Sequence, residues 1–169
     1  MAEARQGADT PDFELRALTR GDRFRFAALA GAYDVARFTS DIPHPFSPDE
    51  ALEWIEGPPG DVRLAIIVDH ALVGAVGYFL RRTGVAELGF WIGRPWWGLG
   101  LATTASRIVI DRALATTRIP AFTSHHFVDN PASGRVLEKL GFVVMGRGRE
   151  HSRARGETVD TIVCWLARP

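Results

Sequence analysis

The residues of this chain most suited to chemistry lie in one short run, Trp97-Gly98-Leu99-Gly100-Leu101-Ala102-Thr103. Two glycines one residue apart let the backbone take positive φ and pass close to a bulky ligand. The first amides of a helix beginning at Leu101 have no carbonyl partner inside that helix, and its dipole favours negative charge there. The chemistry implied is binding of a phosphate or pyrophosphate, although a purely structural turn has the same spacing. Exclusions narrow the anion. No Gly-Lys-Ser/Thr occurs in the run, so it is not a nucleoside-triphosphate loop. A dinucleotide loop follows the first strand of a βαβ unit and is answered by an acid about 20 residues on. Here several strands precede the run, and position 120 is Pro120. His125 and His126 are adjacent in a predicted strand and point to opposite faces, so they do not form one metal site.

The elements that must position this loop follow from pattern and punctuation. Residues 1–11 read as a flexible leader and residues 12–169 as one domain, the size expected for a chain of 169 residues. Phe13 to Arg16 alternates as a short strand. A helical stretch follows from Gly21-Asp22, with Phe24, Ala27, Ala28 and Val35 toward one side. Three prolines between Asp41 and Pro48 break it. Ser47 caps the next helix, with Pro48 at its first position and Asp49 and Glu50 near its positive end. Three strands then follow in a meander: Arg63 to Val68, Leu72 to Leu80, and Glu87 to Ile92. Leu101 to Thr117 is a helix, Ala121 to Val128 a strand, and Ala132 to Leu140 a helix ended by Gly141. Phe142 to Arg149 and Thr158 to Ala167 close the chain as strands joined by a basic loop.

Composition sets outer limits. Hydrophobic residues are 46% and charged residues 24%, which excludes disorder as the main state. Lys+Arg and Asp+Glu are both 20, which argues against a globally basic nucleic-acid binder. Residues 1–60 nevertheless carry 11 acidic and 6 basic side chains, a balance of −5, against +3 for residues 61–120 and +2 for the remainder. The single cysteine, Cys164, forms no intrachain disulfide and no zinc cluster. Ala71 to Leu80, the longest nearly apolar stretch, is too short to span a membrane, and the N-terminus has no apolar signal core. A cytoplasmic protein is the expectation.

Two runs together carry a family resemblance. The first is Glu87-Leu88-Gly89-Phe90-Trp91-Ile92-Gly93 followed by Trp96 to Thr103. The second is Asp129-Asn130-Pro131-Ala132-Ser133-Gly134-Arg135 to Phe142. Their order and separation resemble the acetyl-CoA signatures of the GCN5-related N-acetyltransferases, and more narrowly the branch containing the ribosomal-protein N-terminal acetyltransferases. The resemblance covers about residues 12–167 and implies an α+β, three-layer fold. Its central sheet would be mixed but mostly antiparallel, with about six or seven strands flanked by about four helices. It also implies acetyl-CoA as cosubstrate and a primary amine as acceptor, either a protein N-terminus or a small molecule. The amine would attack directly in a ternary complex.

Carried over residue by residue, the resemblance assigns the cofactor's pyrophosphate to the amides of Gly98, Leu99, Gly100, Leu101, Ala102 and Thr103. An amide near Trp91 or Ile92 would bind the thioester carbonyl, and Asn130 the pantetheine arm. Asn130 also suits a helix cap. Ser133 matches a position that donates a proton to the sulfur. Glu87 and Glu150 are the alternative general bases. His44 is the candidate substrate contact in the loop after the first helix. Phe46 and Trp54 either join that wall or staple their helix to the sheet. The acids Asp49, Glu50, Glu53 and Glu56 would wall the acceptor site, and Arg94, Arg107 and Arg135 would lie near the cofactor. Two other classes compete, a non-catalytic acyl-CoA-binding module and a phosphate-binding structural protein. A homodimer is compatible with the branch, but no interface signal stands out.

Overall fold

Seven strands hydrogen-bond into one sheet, in the order β1-β2-β3-β4-β5-β7-β6. In this computed structural model, which describes residues 10–169, they are β1 (Glu14–Ala17), β2 (Val62–Val68), β3 (Ala71–Leu80), β4 (Ala86–Ile92), β5 (Ala121–Phe127), β6 (Val143–Ser152) and β7 (Glu157–Ala167). Helices α1 (Arg23–Ala30), α2 (Tyr33–Ala36) and α3 (Pro48–Glu56) precede β2. Helix α4 (Leu101–Thr116) joins β4 to β5, and α5 (Pro131–Leu140) joins β5 to β6. Every neighbouring pair is antiparallel except β4 and β5. Parallel neighbours need a crossover, and α4 supplies it. The expected leader falls mostly on residues 1–9, outside the described residues.

Both faces of the sheet are covered, which explains why β2 and β3 read as apolar runs rather than alternating strands. On one face Leu101, Ala105 and Val109 of α4, with Leu137 and Leu140 of α5, pack on Ile66, Val73, Val76 and Leu88. On the other, Phe26, Ala27 and Ala30 of α1 and Ala51 of α3 pack on Ala65, Ile67, Ala75 and Trp91. Ser47 caps α3 as expected, its hydroxyl accepting from the Glu50 N–H while its own N–H donates to the Glu50 carboxylate. Gly141 ends α5 at φ +92°.

The first helical stretch departs from expectation. Phe24 and Ala28 face solvent, Phe24 being 60% exposed, while Phe26 is fully buried. Positions 24, 27, 28 and 26, 27, 30 are both helical stripes. The choice falls to Phe26 because Trp54 and Trp91 each sit 5.0 Å from its ring and Phe46 6.2 Å away. Among the described residues no helix is long and apolar enough to cross a membrane.

The corner between β1 and α1 is held by Asp22. Its carboxylate accepts two bonds from Arg16 (2.8 Å each) and one each from the Thr19 N–H and hydroxyl. The Arg16 bonds, helped by Thr19, hold this carboxyl at about 2, below its ordinary 3.8. A depressed folded pKa stabilises above the unfolded value and loses that contribution as pH falls through the folded one. Asp22→Asn is therefore expected to cost about 1 kcal/mol at pH 7, screened by partial exposure. In urea titrations the gap from wild type should close between about pH 4 and 2; a gap independent of pH would refute the linkage.

Candidate active site

The sheet opens where β4 meets β5. Their pairing is confined to Ala86↔Phe122 and Glu87↔Thr123. The Ser124 hydroxyl donates to the Leu88 carbonyl (2.9 Å) at the next step. The Gly93 N–H donates to the Val73 carbonyl (2.8 Å), so Gly93 and Val73 form a hydrogen-bonded antiparallel pair. Alternation turns the peptide groups of Trp91 and Gly89 toward β3 and those of Phe90 and Ile92 toward the gap. Of the two positions expected to offer an amide, Ile92 thus fits and Trp91 does not; the Trp91 side chain packs on Phe26 instead. The Ile92 carbonyl accepts from the Trp97 indole N–H (2.6 Å), which fastens the glycine loop to the end of β4.

Gly98 and Gly100 both sit at φ +78°. The first helical bond of α4 runs from the Thr104 N–H to the Gly100 carbonyl (3.0 Å), leaving the amides of Leu101, Ala102 and Thr103 without intrahelical partners. A cleft of about 430 Å³ is lined by Gly98, Gly100 and these three residues on one side, and by Asn130, Ser133, Arg135 and Lys139 on the other. Free amides at a helix start, with two cations opposite, fit the pyrophosphate and phosphate groups of acetyl-CoA. Leu99 instead packs its side chain on the core and anchors the loop. Of the three arginines expected near the cofactor, Arg135 is in the cleft lining, while Arg94 is paired with Asp34 (2.6 Å) and Arg107 donates to the Lys139 carbonyl.

A second cavity of about 130 Å³ lies beside the first, and the two share Phe38, Thr39, Phe90, Trp91 and Ser133 in their walls. At this junction Asn130 is both cap and brace. Its Oδ1 accepts from the Ser133 N–H (3.3 Å), and its Nδ2 donates to Ser133 Oγ (2.9 Å). A hydroxyl that accepts from an amide keeps its own proton free to donate elsewhere. The first turn of α5 begins at Pro131, so this geometry is set by Asn-Pro-x-Ser alone.

Glu87 and His125 meet in the wall of this second cavity, Oε1 to Nδ1, at 3.4 Å. Burial pushes the Glu87 carboxyl up, but hydrogen bonds and charge from His125 and Arg81 outweigh it, and the net shift is downward. Burial pushes the His125 imidazole down, but Glu87, Glu150 and Asp41 outweigh that, and the net shift is upward. Nε2 of His125 lies 3.2 Å from the Ser40 hydroxyl. Glu150 itself is exposed on β6, opposite Val159.

Of the three residues expected at the acceptor wall, only Trp54 lines the smaller cavity. His44 Nδ1 is bonded to the Gly31 carbonyl (2.7 Å) and its ring stands edge-on to Tyr33, outside the lining of either cavity. Phe46 is buried with Phe26, while Trp54 does line the smaller cavity. None of the four α3 acids lines either cavity, and two are bonded elsewhere: Glu50 in its cap and with Arg153, Glu56 with Arg20. The carboxylates lining the cavity are Asp41 and Glu87. Sequence reasoning missed Ser40, Asp41 and the clamp behind them. Arg155 donates to the Arg37 carbonyl (2.7 Å) and to both oxygens of Asp129 (2.9 and 3.0 Å), tying the 37–42 segment to the start of α5.

A splayed β4, an amide-lined loop opening α4, and an Asn-capped α5 facing it across a cleft define an acyl-CoA transferase of the GNAT type. The chain belongs to the family described as "Acetyltransferase (GNAT) domain", which matches residues 12–143, and it is an acetyl-CoA-dependent N-acetyltransferase. Among curated relatives, an L-amino acid N-acetyltransferase of Escherichia coli is 29% identical over 126 residues, 72% of this chain and 77% of that protein. A spermidine N-acetyltransferase from Vibrio cholerae, solved with CoA and spermine, superposes with a TM-score of 0.79 at 23% identity, covering 92% of this chain and 95% of that one. A ribosomal-protein-S5-alanine acetyltransferase from Vibrio fischeri gives 0.77 at 18% identity, covering 92% and 93%.

Gly100→Val tests the loop. It forces a β-branched residue to φ +78° and sets its Cβ 2.6 Å from the Thr10 hydroxyl. A backbone penalty of about 1–2 kcal/mol is expected, and with it a loss of CoA affinity of roughly tenfold or more by calorimetric titration. Unchanged affinity would show that the loop does not bind the cofactor.

Proposed function

We propose that this enzyme acetylates the primary amine of a small acceptor with an apolar body, bound in the cavity beside the cofactor cleft. The observation that carries this reading is the shared wall at Phe90, Trp91 and Ser133, which lets an amine in one cavity meet a thioester in the other. About 130 Å³ is the volume of a few waters, which suits a compact group rather than a folded chain. Phe38, Trp54, Phe79 and Phe90 offer apolar and aromatic surface, and Asp41 and Glu87 offer negative charge to an ammonium. The likeness to an L-amino acid N-acetyltransferase supports a small amine. The resemblance to the ribosomal-protein branch, echoed by one structural neighbour, supports a peptide N-terminus as the second reading. Residues 12–169 act as a single acetyltransferase domain.

Bound acetyl-CoA supplies an acetyl thioester, which the neutral amine attacks directly. The chain's own part is positioning and charge. The amides of Gly98 and Leu101 to Thr103 hold the pyrophosphate, with Leu99 packed to keep the loop in place, and Arg135 and Lys139 neutralise phosphate charge. The free N–H of Ile92 stabilises the developing oxyanion. Asn130 orients Ser133, whose hydroxyl gives its proton toward the departing sulfur. Glu87 is ionised and serves the amine's deprotonation, and Glu150 adds negative charge at a distance.

Release of CoA thiol should be followed with amino acids, short alkylamines, polyamines and N-terminal peptides. Higher kcat/KM for small amines than for peptides is expected. Tight acetyl-CoA binding with no turnover on any amine would instead mark a binding module. Ser133→Ala should lower kcat by about 10²-fold while CoA affinity stays nearly unchanged; an unchanged kcat removes Ser133 as proton donor.

A further inference from the structure

Ser40, His125 and Glu87 form a line of polar contacts along one wall of the smaller cavity, a hydrogen bond from Ser40 to His125 and an ion-pair contact from His125 to Glu87. Ser40 Oγ is 3.2 Å from His125 Nε2, and His125 Nδ1 is 3.4 Å from Glu87 Oε1. We propose that His125 is the proton acceptor for the bound amine, reached through the Ser40 hydroxyl, with Glu87 as its positioning residue. The inference rests on the assignment of this cavity to the acceptor.

The tautomer follows from the partners. An ionised carboxylate only accepts, so the imidazole proton sits on Nδ1, toward Glu87. Nε2 is then the lone-pair nitrogen and accepts from Ser40, whose oxygen lone pairs remain free for an incoming N–H. In the transfer, the ammonium gives one proton to Ser40 Oγ while Ser40 gives its own to Nε2. The products are a neutral amine and an imidazolium, and no other bond changes. The imidazolium later returns its proton to solvent.

The surroundings favour that charge. Glu87 on β4 contacts His125, and the charges of Glu150 on β6 and Asp41 in the 37–42 segment add to it. The cations nearby are spoken for. Arg81 is bonded to Glu87, and Arg153 to the Asp41 carbonyl and Glu50. From β7 the residue opposite is Val163. An imidazole with its pKa raised in this way comes closer to that of an α-amine, about 8, which makes the transfer less uphill.

The fold explains why the line is kept. The Ser40 carbonyl accepts from the Arg153 N–H (3.0 Å), and Ser152 Oγ donates to the Thr39 carbonyl (3.4 Å), so the β6–β7 turn fixes the segment that presents Ser40.

The test is the pH profile of kcat/KM. Activity requires neutral His125, so the acidic limb should lie above the ordinary histidine value of about 6.5. His125→Gln should lower kcat about 10²-fold and abolish that limb. Glu87→Gln keeps a hydrogen-bond partner but removes the charge, so the limb should move to lower pH with a smaller loss of kcat. Ser40→Ala should lower kcat and leave CoA affinity unchanged. If His125→Gln does not fold, the limb shift in Glu87→Gln decides the question alone, and an unmoved limb overturns the relay. Asp41→Trp, at the cavity wall, separates the two readings. An unchanged acceptor KM there refutes the acceptor cavity itself. A raised KM together with an intact kcat and limb in His125→Gln refutes only the relay.

Discussion

The structure depends on a pairing that stops early. Strands β4 and β5 share two residue pairs and then part, although each remains fully paired on its other side. An unpaired peptide edge inside a protein costs free energy unless something bonds to it. Ser124 satisfies the Leu88 carbonyl and Trp97 the Ile92 carbonyl, but the N–H groups of Phe90 and Ile92 remain turned toward the gap. Because β4 and β5 are parallel, their connection must cross over, and the start of α4 falls at the carboxyl end of β4, beside the gap. The same geometry brings the start of α5 there from the end of β5. Two helix N-termini thus converge on one opening in the sheet.

Electrostatics are divided across that opening. The larger cleft carries amides without intrahelical partners, Arg135 and Lys139, and the smaller cavity carries Asp41 and Glu87. The overall neutrality of the chain, 20 cations against 20 anions, therefore conceals a local polarity suited to an anionic cofactor and a cationic amine. The acidic first third contributes to it through Asp41, whereas none of the α3 acids lines either cavity.

The clamp made by the β6–β7 turn links the two halves. Arg155 is largely buried, with a planar fork on Asp129 and its Nε on the Arg37 carbonyl, while its guanidinium lies over Phe38 and Phe127. A lysine has no such fork. Through this one side chain, the residue before Asn130 and the segment carrying Ser40 keep a fixed relation. Within the basic loop read from the sequence, Arg153 and Arg155 thus act as a structural brace.

What the sequence determined by itself was local. The Ser47-Pro48 cap, the Gly141 stop, the positive-φ glycines at 98 and 100, and the Asn130–Ser133 bracket each depend on neighbours within a few residues, so their residue types suffice to identify them. With the two signature runs they defined the family and its cofactor. The smaller cavity belongs to tertiary structure. Phe26 won over Phe24 because three aromatic rings from other elements surround it, and His44 left the wall because the Gly31 carbonyl captured it. Ser40 and His125 are 85 positions apart, and Glu87 comes from a third element. No local rule constrains such a set. It exists only because the parted strands, the crossover helix and the Arg155 clamp close the chain into one arrangement.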